Sequence, residues 1–378
     1  MPRSVRYSKT RLVIDSTRRS ADLFYLTRLK APDPIVWMQV GRRRILMLSE
    51  LELDRARKEA RADLFLPART YMIRAARLFS RATPAHAAAV FLGDRGIRSV
   101  EVPASFPVSL MRVLEELGFD VAVSGEDFVP ARRTKRQWEV REIRRCTRLG
   151  AEGIDLAVSM IHTAEARGRR LLLGGRPLTS EAVKREVTKY LVDRDCQAAG
   201  LIAAGRRDQT AMPHHTGSGA LEPGEAIILD FFPKSSGSGY HGDITRTVVR
   251  GKAGEKLKKM YEAVRTVERK VAAMIRPGAE GRSLQAAALR MFERAGFKTG
   301  RSAGHACGFF HGIGHGLGLE IHEKPSMSGS DKLRPGDVVT VEPGLYYPET
   351  GGVRHENVYL VTRTGREPLT DYEIPFEI

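Results

Sequence analysis

Cysteine is scarce in this chain, with only Cys146, Cys196 and Cys307 among 378 residues. An odd number without C-x-x-C spacing argues against a disulfide framework or a zinc knuckle and for three free thiols in a reducing compartment. Long apolar runs are missing too. Nothing approaches the roughly 18 consecutive apolar residues of a membrane-spanning helix, so no membrane association is expected. The opening MPRSVRYSKTRLVIDSTRR is basic but lacks the apolar segment a secretory signal needs, which points to the cytoplasm. Nor is there a long block of one charge sign. The net charge is +17, and residues 1–135 hold 25 Lys and Arg against 15 Asp and Glu. Those cations, among them Arg18, Arg19, Arg42, Arg43, Arg44, Arg55 and Arg57, are scattered among apolar residues without interleaved aromatics. A solvated basic surface is therefore expected, and nucleic-acid binding is not.

What is present is a globular balance, 42% hydrophobic and 28% charged, in a length that suits two domains. Residues 22–49 give three short β-rich runs, DLFYLTRL, PIVWMQV and RRRILMLS, with turn material at Pro32, Asp33 and Gly41. ELELDRARKEARA and TPAHAAAVFLGDRG read as helices, RSVEVP as a strand, FPVSLMRVLEELGF as a helix opened by proline, and FDVAVS as a strand. This alternation predicts an N-terminal α/β domain over residues 1–135, without clustered ligand residues, ending at the basic VPARRTKRQ.

Over residues 136–378 the order helix, helix, strand, hairpin occurs twice. Ile143, Cys146, Leu149, Ile154, Ala157 and Ile161 recur at helical spacing, and LTSEAVKREVTKYLVDRD is a second helix capped by Thr179 or Ser180. The strand CQAAGLIAAG and the hairpin AIILDFFPKSSGSGYHGDITR complete the first set. EKLKKMYEAVRTVERKVAAMI, RSLQAAALRMFERAGF, the Gly-rich HGIGHGLGLEIHE and the hairpin DVVTVEPGLYYP with GGVRHENVYLVT form the second. Such a pattern predicts an internal duplication of about 110 residues.

Each hairpin carries two acids. With the first loop centred near Ser236, residues whose numbers sum to 472 or 473 face each other, which sets Asp230 opposite Asp243. With the second turn near Thr350 or Gly351, Glu342 and Glu356, whose numbers sum to 698, are opposite within a residue of register. Like charges so placed repel unless a cation lies between them, and the apolar neighbours Ile227, Ile228, Leu229, Val338, Val339 and Val341 predict burial. Four buried carboxylates need several positive charges, which two divalent ions about 3.5–4 Å apart supply. His311, His315 and His322 are concentrated in the Gly-rich segment, where glycines at 312, 314, 316 and 318 argue against a helix. In an extended segment 311, 313 and 315 share a face, whereas His322 has the other parity and needs a bend to reach the same site. Carboxylates with imidazole suit manganese, cobalt, zinc or iron.

DITRT with its upstream Asp, HGIGHGLGLEIHE, VEPGLY and GVRHEN together resemble the motif set of the pita-bread metallopeptidases: Xaa-Pro aminopeptidases, Xaa-Pro dipeptidases (prolidases) and methionine aminopeptidases. The similarity runs from about residue 138 to 365. It implies an α+β chain, with the duplicated unit as a C-terminal pita-bread fold over 136–378 and a smaller N-terminal α/β creatinase-like domain over 1–135. The resemblance further implies two divalent metal ions, manganese foremost, held by Asp230, Asp243, His315, Glu342 and Glu356, with Asp243 and Glu356 bridging. Glu342 would be the proton acceptor. His214, which fits the upstream PH motif better than His215, and His322 would stabilise the oxyanion. His311 and Arg354 would bind substrate, and Arg354 and Arg246 would act as partners of ligands or of a substrate carboxylate. The implied substrate is a peptide with proline at its second position, and the implied assembly is a homodimer.

Two positions depart from the family pattern. FFPKSSGSG puts Phe232 where a small residue is usual and lengthens the turn, and His355 replaces an aliphatic residue, reading as a surface imidazole without a role. A methionine aminopeptidase-like enzyme, a creatinase-like hydrolase and a non-catalytic peptide-binding module are the competing readings. The N-terminal domain weighs against the first, and the complete ligand set against the other two.

Overall fold

The computed structural model describes residues 10–125, 127–302 and 304–378; residues 1–9 of the basic opening segment lie outside them. The chain divides into two compact units, one ending at Arg132 and one starting at Arg133.

The first unit runs β1 (Thr10–Asp15), α1 (Ala21–Thr27), β2 (Ile35–Val40), β3 (Arg43–Leu48), α2 (Glu50–Glu59), β4 (Leu64–Pro67), α3 (Ala68–Leu78), α4 (Pro84–Gly93), β5 (Ser99–Val102), α5 (Val108–Glu116) and β6 (Asp120–Val123). Its sheet has the order β4-β3-β2-β1-β5-β6. DLFYLTR, expected as strand, is the helix α1, and TRLVID supplies the strand β1 instead. The Ser20 side chain caps α1 by accepting from the Leu23 N–H. Leu23, Tyr25 and Thr27 are all buried, and this period of two imitates a strand. It arises because the Tyr25 hydroxyl donates to the Ala131 carbonyl at 3.0 Å, so both sides of the short helix are covered.

The second unit runs α6 (Gln137–Thr163), β7 (Glu165–Arg167), β8 (Arg170–Leu173), β9 (Arg176–Pro177), α7 (Ser180–Val192), β10 (Cys196–Ala204), α8 (Arg207–Thr210), β11 (Ala226–Ser235), β12 (Ile244–Val249), α9 (Glu255–Ala273), α10 (Gly281–Arg294), β13 (Gly300–Ser302), β14 (His305–Cys307), β15 (His315–Gly316), β16 (Glu323–Ser326), β17 (Val338–Val341), β18 (Gly344–Tyr347), β19 (Gly351–Arg354), β20 (Asn357–Val361) and β21 (Arg366–Pro368). The duplication is visible in the pairing. In each half the strand after the two helices pairs antiparallel with the first hairpin arm, β10 with β11 and β15 with β17. That arm then pairs with its return, β11 with β12 and β17 with β20.

Each half has its own core. The apolar stripe of α6 and α7, including Ile143, Ile154, Val183 and Leu191, is buried, and most of it joins Leu229, Phe231 and Ile244 in one cluster. That of α9 and α10, with Val264, Leu284 and Phe292, packs on Val339 and Val341. The three cysteines are free and buried. Among the described residues no helix is long and apolar enough to cross a membrane.

Candidate metal centre

The first hairpin differs from the expected register by two residues. Asp230 faces Thr245 and Phe231 faces Ile244, because the turn lies beyond Ser236: the Gly239 N–H donates to the Ser235 carbonyl at 3.0 Å. Asp243 thus sits diagonally from Asp230 and not opposite it. A slip of two leaves both residues on one face, where a slip of one would have separated them. In the second hairpin Val341 pairs with Asn357 and Gly344 with Arg354. Both ladders have the 698 register, with Glu342 and Glu356 between them. The halves join at this level, where the Glu356 N–H donates to the Thr245 carbonyl at 3.1 Å.

A cavity of about 520 Å³ is lined by Asp230, Asp243, Glu342, Glu356, His214, His311, His315, His322 and Arg354. His215 is turned away from it, its Nδ1 accepting from the Gly217 N–H at 3.0 Å. His311 and His315 do not reach the cavity through strand parity. Ile313, between them, lies in the hydrophobic core, and only His315 and Gly316 are in a strand. The backbone is steered instead by Gln285 of α10, whose Oε1 accepts from Ile313 N–H and whose Nε2 donates to the His311 carbonyl at 3.0 Å. His322 returns to the site by the predicted bend. The ladder partners of His315 and Gly316 jump from Ser326 to Glu323, and the His322 ring packs edge-on to His315 with centroids 4.4 Å apart. Gly316 is required there, since a Cβ would stand 2.4 Å from the Lys324 backbone.

One ligand atom each from Asp243, His315 and Glu356 lie within 4.8 Å of one another. His315 Nε2 is 3.5 Å from Glu342 Oε1 and 3.7 Å from Asp243 Oδ2. Its Nδ1 faces the Gly316 carbonyl at 3.2 Å. A carbonyl is met only by a protonated nitrogen, so the lone pair is on Nε2 and points at the acids. Burial, then His322, holds the His315 pKa down at about 4, which keeps the ring neutral at pH 7 and fit to ligate.

The acids show the opposite strain. Burial, then Glu356, Asp230 and Glu342, pushes Asp243 well above the carboxylate range. Burial and Glu356 raise Glu342 in the same way, against Arg354. Glu356 rises to about 7 through burial and Asp230, opposed by the Thr245 hydroxyl that donates to it at 2.8 Å. Asp230 Oδ1, Asp243 Oδ1 and Glu356 Oε1 are buried without a partner among the described residues. Buried carboxylate oxygens left open beside a neutral imidazole are the donor set a hard or borderline divalent cation takes.

Arg354 is engaged at both of its terminal nitrogens. It donates to Asp230 Oδ2 at 2.6 Å, to the Tyr346 hydroxyl at 2.8 Å and to the Pro213 carbonyl at 3.2 Å. Arg246 does not face the cavity. It is buried and grips the carbonyls of Thr245 and Glu356 at 2.8 and 2.6 Å, fixing the link between β19 and β20 that carries Glu356. His355 is not a surface residue. It is completely buried, its pKa driven well below the usual range by burial and by Arg246, Arg265 and Arg269. Thr245, Tyr346 and Gln285 were not singled out in the sequence. Tyr346 had a signal, the aromatic run following VEPG, whereas Gln285 lies in a helix with nothing local to mark it.

The sequence pattern of metallopeptidase family M24 matches residues 141–363, more than half of the chain. An uncharacterised peptidase of Bacillus subtilis, YqhT, is 36% identical over 229 residues, covering 58% of this chain and 61% of that one. The Xaa-Pro dipeptidase of Pyrococcus horikoshii is 37% identical over 178 residues, 46% and 47% of the two chains. The chain thus spans about half to three fifths of the length of these curated relatives. The solved structure of an Xaa-Pro dipeptidase from Bacillus anthracis superposes with a TM-score of 0.81 at 22% identity, over 98% of this chain and 95% of that one. At that identity the likeness is one of fold, the α+β pita-bread plan preceded by an N-terminal domain.

Proposed function

The chain belongs to metallopeptidase family M24, and from that premise we propose that it is a dinuclear metal-dependent exopeptidase removing the residue that precedes proline at the amino terminus of peptides or dipeptides. The observation that carries the reading is the trio of unpartnered buried carboxylate oxygens in the cavity that the neutral His315 also lines. Asp230, Asp243, His315, Glu342 and Glu356 would hold two divalent ions, manganese first and cobalt, zinc or iron as alternatives. Such ions, when bound, lower the pKa of a shared water and polarise the scissile carbonyl. Glu342 would take the proton of the attacking water and pass it to the proline nitrogen as that nitrogen leaves. His214 and His322 donate to the carbonyl oxygen as it gains charge. His311 offers its open Nε2 and Arg354 its open Nε to the substrate, while Arg354 also holds Asp230 in place.

The relatives named as Xaa-Pro dipeptidases support proline as the second residue. We further read residues 1–135 as a creatinase-like domain, residues 136–378 as the catalytic domain, and the protein as a cytoplasmic homodimer of 42.0 kDa chains. Light scattering at twice that mass tests the assembly. For the activity, manganese-reconstituted protein is assayed on Gly-Pro, Ala-Pro and a longer Xaa-Pro-Xaa peptide. Hydrolysis lost on chelation and in Asp243→Ala is expected, and cleavage of the longer peptide marks an aminopeptidase. Equal activity in wild type and Asp243→Ala sinks the metal mechanism.

A further inference from the structure

We infer that Phe232, held across Gly200, is the wall that limits the side chain accepted at the residue before proline; the inference rests on the peptidase function proposed above. The device begins with a bulge. Ala198 pairs with Pro233 but Leu201 pairs with Phe231, so Ala199 and Gly200 of β10 together oppose Phe232 of β11. A Cβ at position 200 would stand 1.7 Å from Phe232 Cε2 and 1.9 Å from Cζ. The ring therefore occupies the volume of the side chain that Gly200 lacks, and a side chain at 200 would have to expel it. Phe231 is fully buried in the core on the other face of β11, whereas Phe232 is only partly buried and lines the cavity.

Phe232 and Asp230 share one strand face two residues apart, about 7 Å along the strand. The cavity lining also holds apolar residues, among them Ile202, which pairs with Asp230 and shares its strand face with Phe232, and Ile321, while the acids form its polar part. A peptide whose scissile carbonyl lies beside the acids of the metal site places its amino-terminal residue in this cavity. The side chain of that residue then extends along the β11 face and meets the ring. This wall favours an apolar residue of limited size.

Phe232→Ala, Gly200→Ala and the double variant test the inference, with folding checked by circular dichroism. Two readouts are taken on manganese-loaded protein. They are kcat/KM on Ala-Pro, Leu-Pro and Phe-Pro, and calorimetric Kd for the uncleavable reduced-amide analogues of the same three. Phe232→Ala is expected to raise the Phe-to-Ala preference in both by about tenfold or more. Gly200→Ala drives the ring into the cavity and weakens the Leu and Phe analogues most. The double variant returns to the Phe232→Ala pattern. An unchanged ratio in Phe232→Ala, or a Gly200→Ala loss that the second substitution does not reverse, overturns the inference. If wild type hydrolyses no Xaa-Pro peptide, the peptidase reading fails, and the Kd ratios alone then decide the wall. Failure of all three analogues to bind overturns it as well. Should Gly200→Ala not fold, Phe232→Leu takes its place, with an intermediate ratio expected and a wild-type ratio counting against the wall.

Discussion

Asp243 is 4% exposed and surrounded by Glu356, Asp230 and Glu342, so without a cation the folded protein must carry it as a neutral acid or bear the repulsion. Asp243→Asn removes that burden at nearly constant shape. At pH 8 the metal-free variant should melt no lower than metal-free wild type. Wild type should gain about 2.7 kcal/mol with manganese at a hundredfold its Kd, roughly 5–10 °C. The variant should show little of that gain, and a full one would remove Asp243 from the ligand set. The nine ionisable residues among those lining the cavity were readable individually because each lies in a short motif. Their helpers were not. Thr245 holds Glu356 across 111 positions, and Gln285 steadies His311 and Ile313 from a separate helix, relations that no local pattern encodes.

Among the elements, the hairpins were legible to within two residues, and the error lay in the turn. Alternating apolar residues fix the face of β11 and β12, while the Ser-Gly run allows the chain to reverse at more than one place, and backbone hydrogen bonds at Ser235 and Gly239 choose it. The short helix α1 was misread because contacts on both of its sides gave it the period of a strand. A tight joint between elements is at Gly242, next to Asp243. A Cβ there would stand 2.2 Å from the Thr147 nitrogen and 2.3 Å from the Cys146 carbonyl carbon, both backbone atoms of α6. Backbone cannot swing aside as a side chain can, so Gly242→Ala should cost about 3 kcal/mol in urea unfolding. Because the loop then shifts with Asp243 on it, the manganese-dependent rise in melting temperature should shrink too. A variant of wild-type stability would mean that α6 gives way freely.

For the whole molecule, the raised acids couple stability to pH. Glu356 has its folded pKa at about 7 against an ordinary 4.5. The folded state therefore binds more protons than the unfolded one between those values. Its contribution is fully present below about pH 4.5 and is lost as pH rises through 7, on the order of 3 kcal/mol. Asp243 and Glu342 shift in the same direction. The melting temperature of metal-free protein should fall from pH 5 to pH 8, and the increment from manganese should grow, since the metal displaces protons. A flat metal-free profile, measured by calorimetry, would show that the acids do not share one buried site. The donor types, the two acid-bearing hairpins and the repeated helix, helix, strand, hairpin order were determined by the sequence itself, since each depends on neighbours in the chain. Only the tertiary structure decided that all nine residues share one cavity, that His315 turns its lone pair toward the acids, and that Phe232 lies across Gly200. Those outcomes depend on burial and on hydrogen bonds between residues far apart in sequence, which exist only once both halves have folded together.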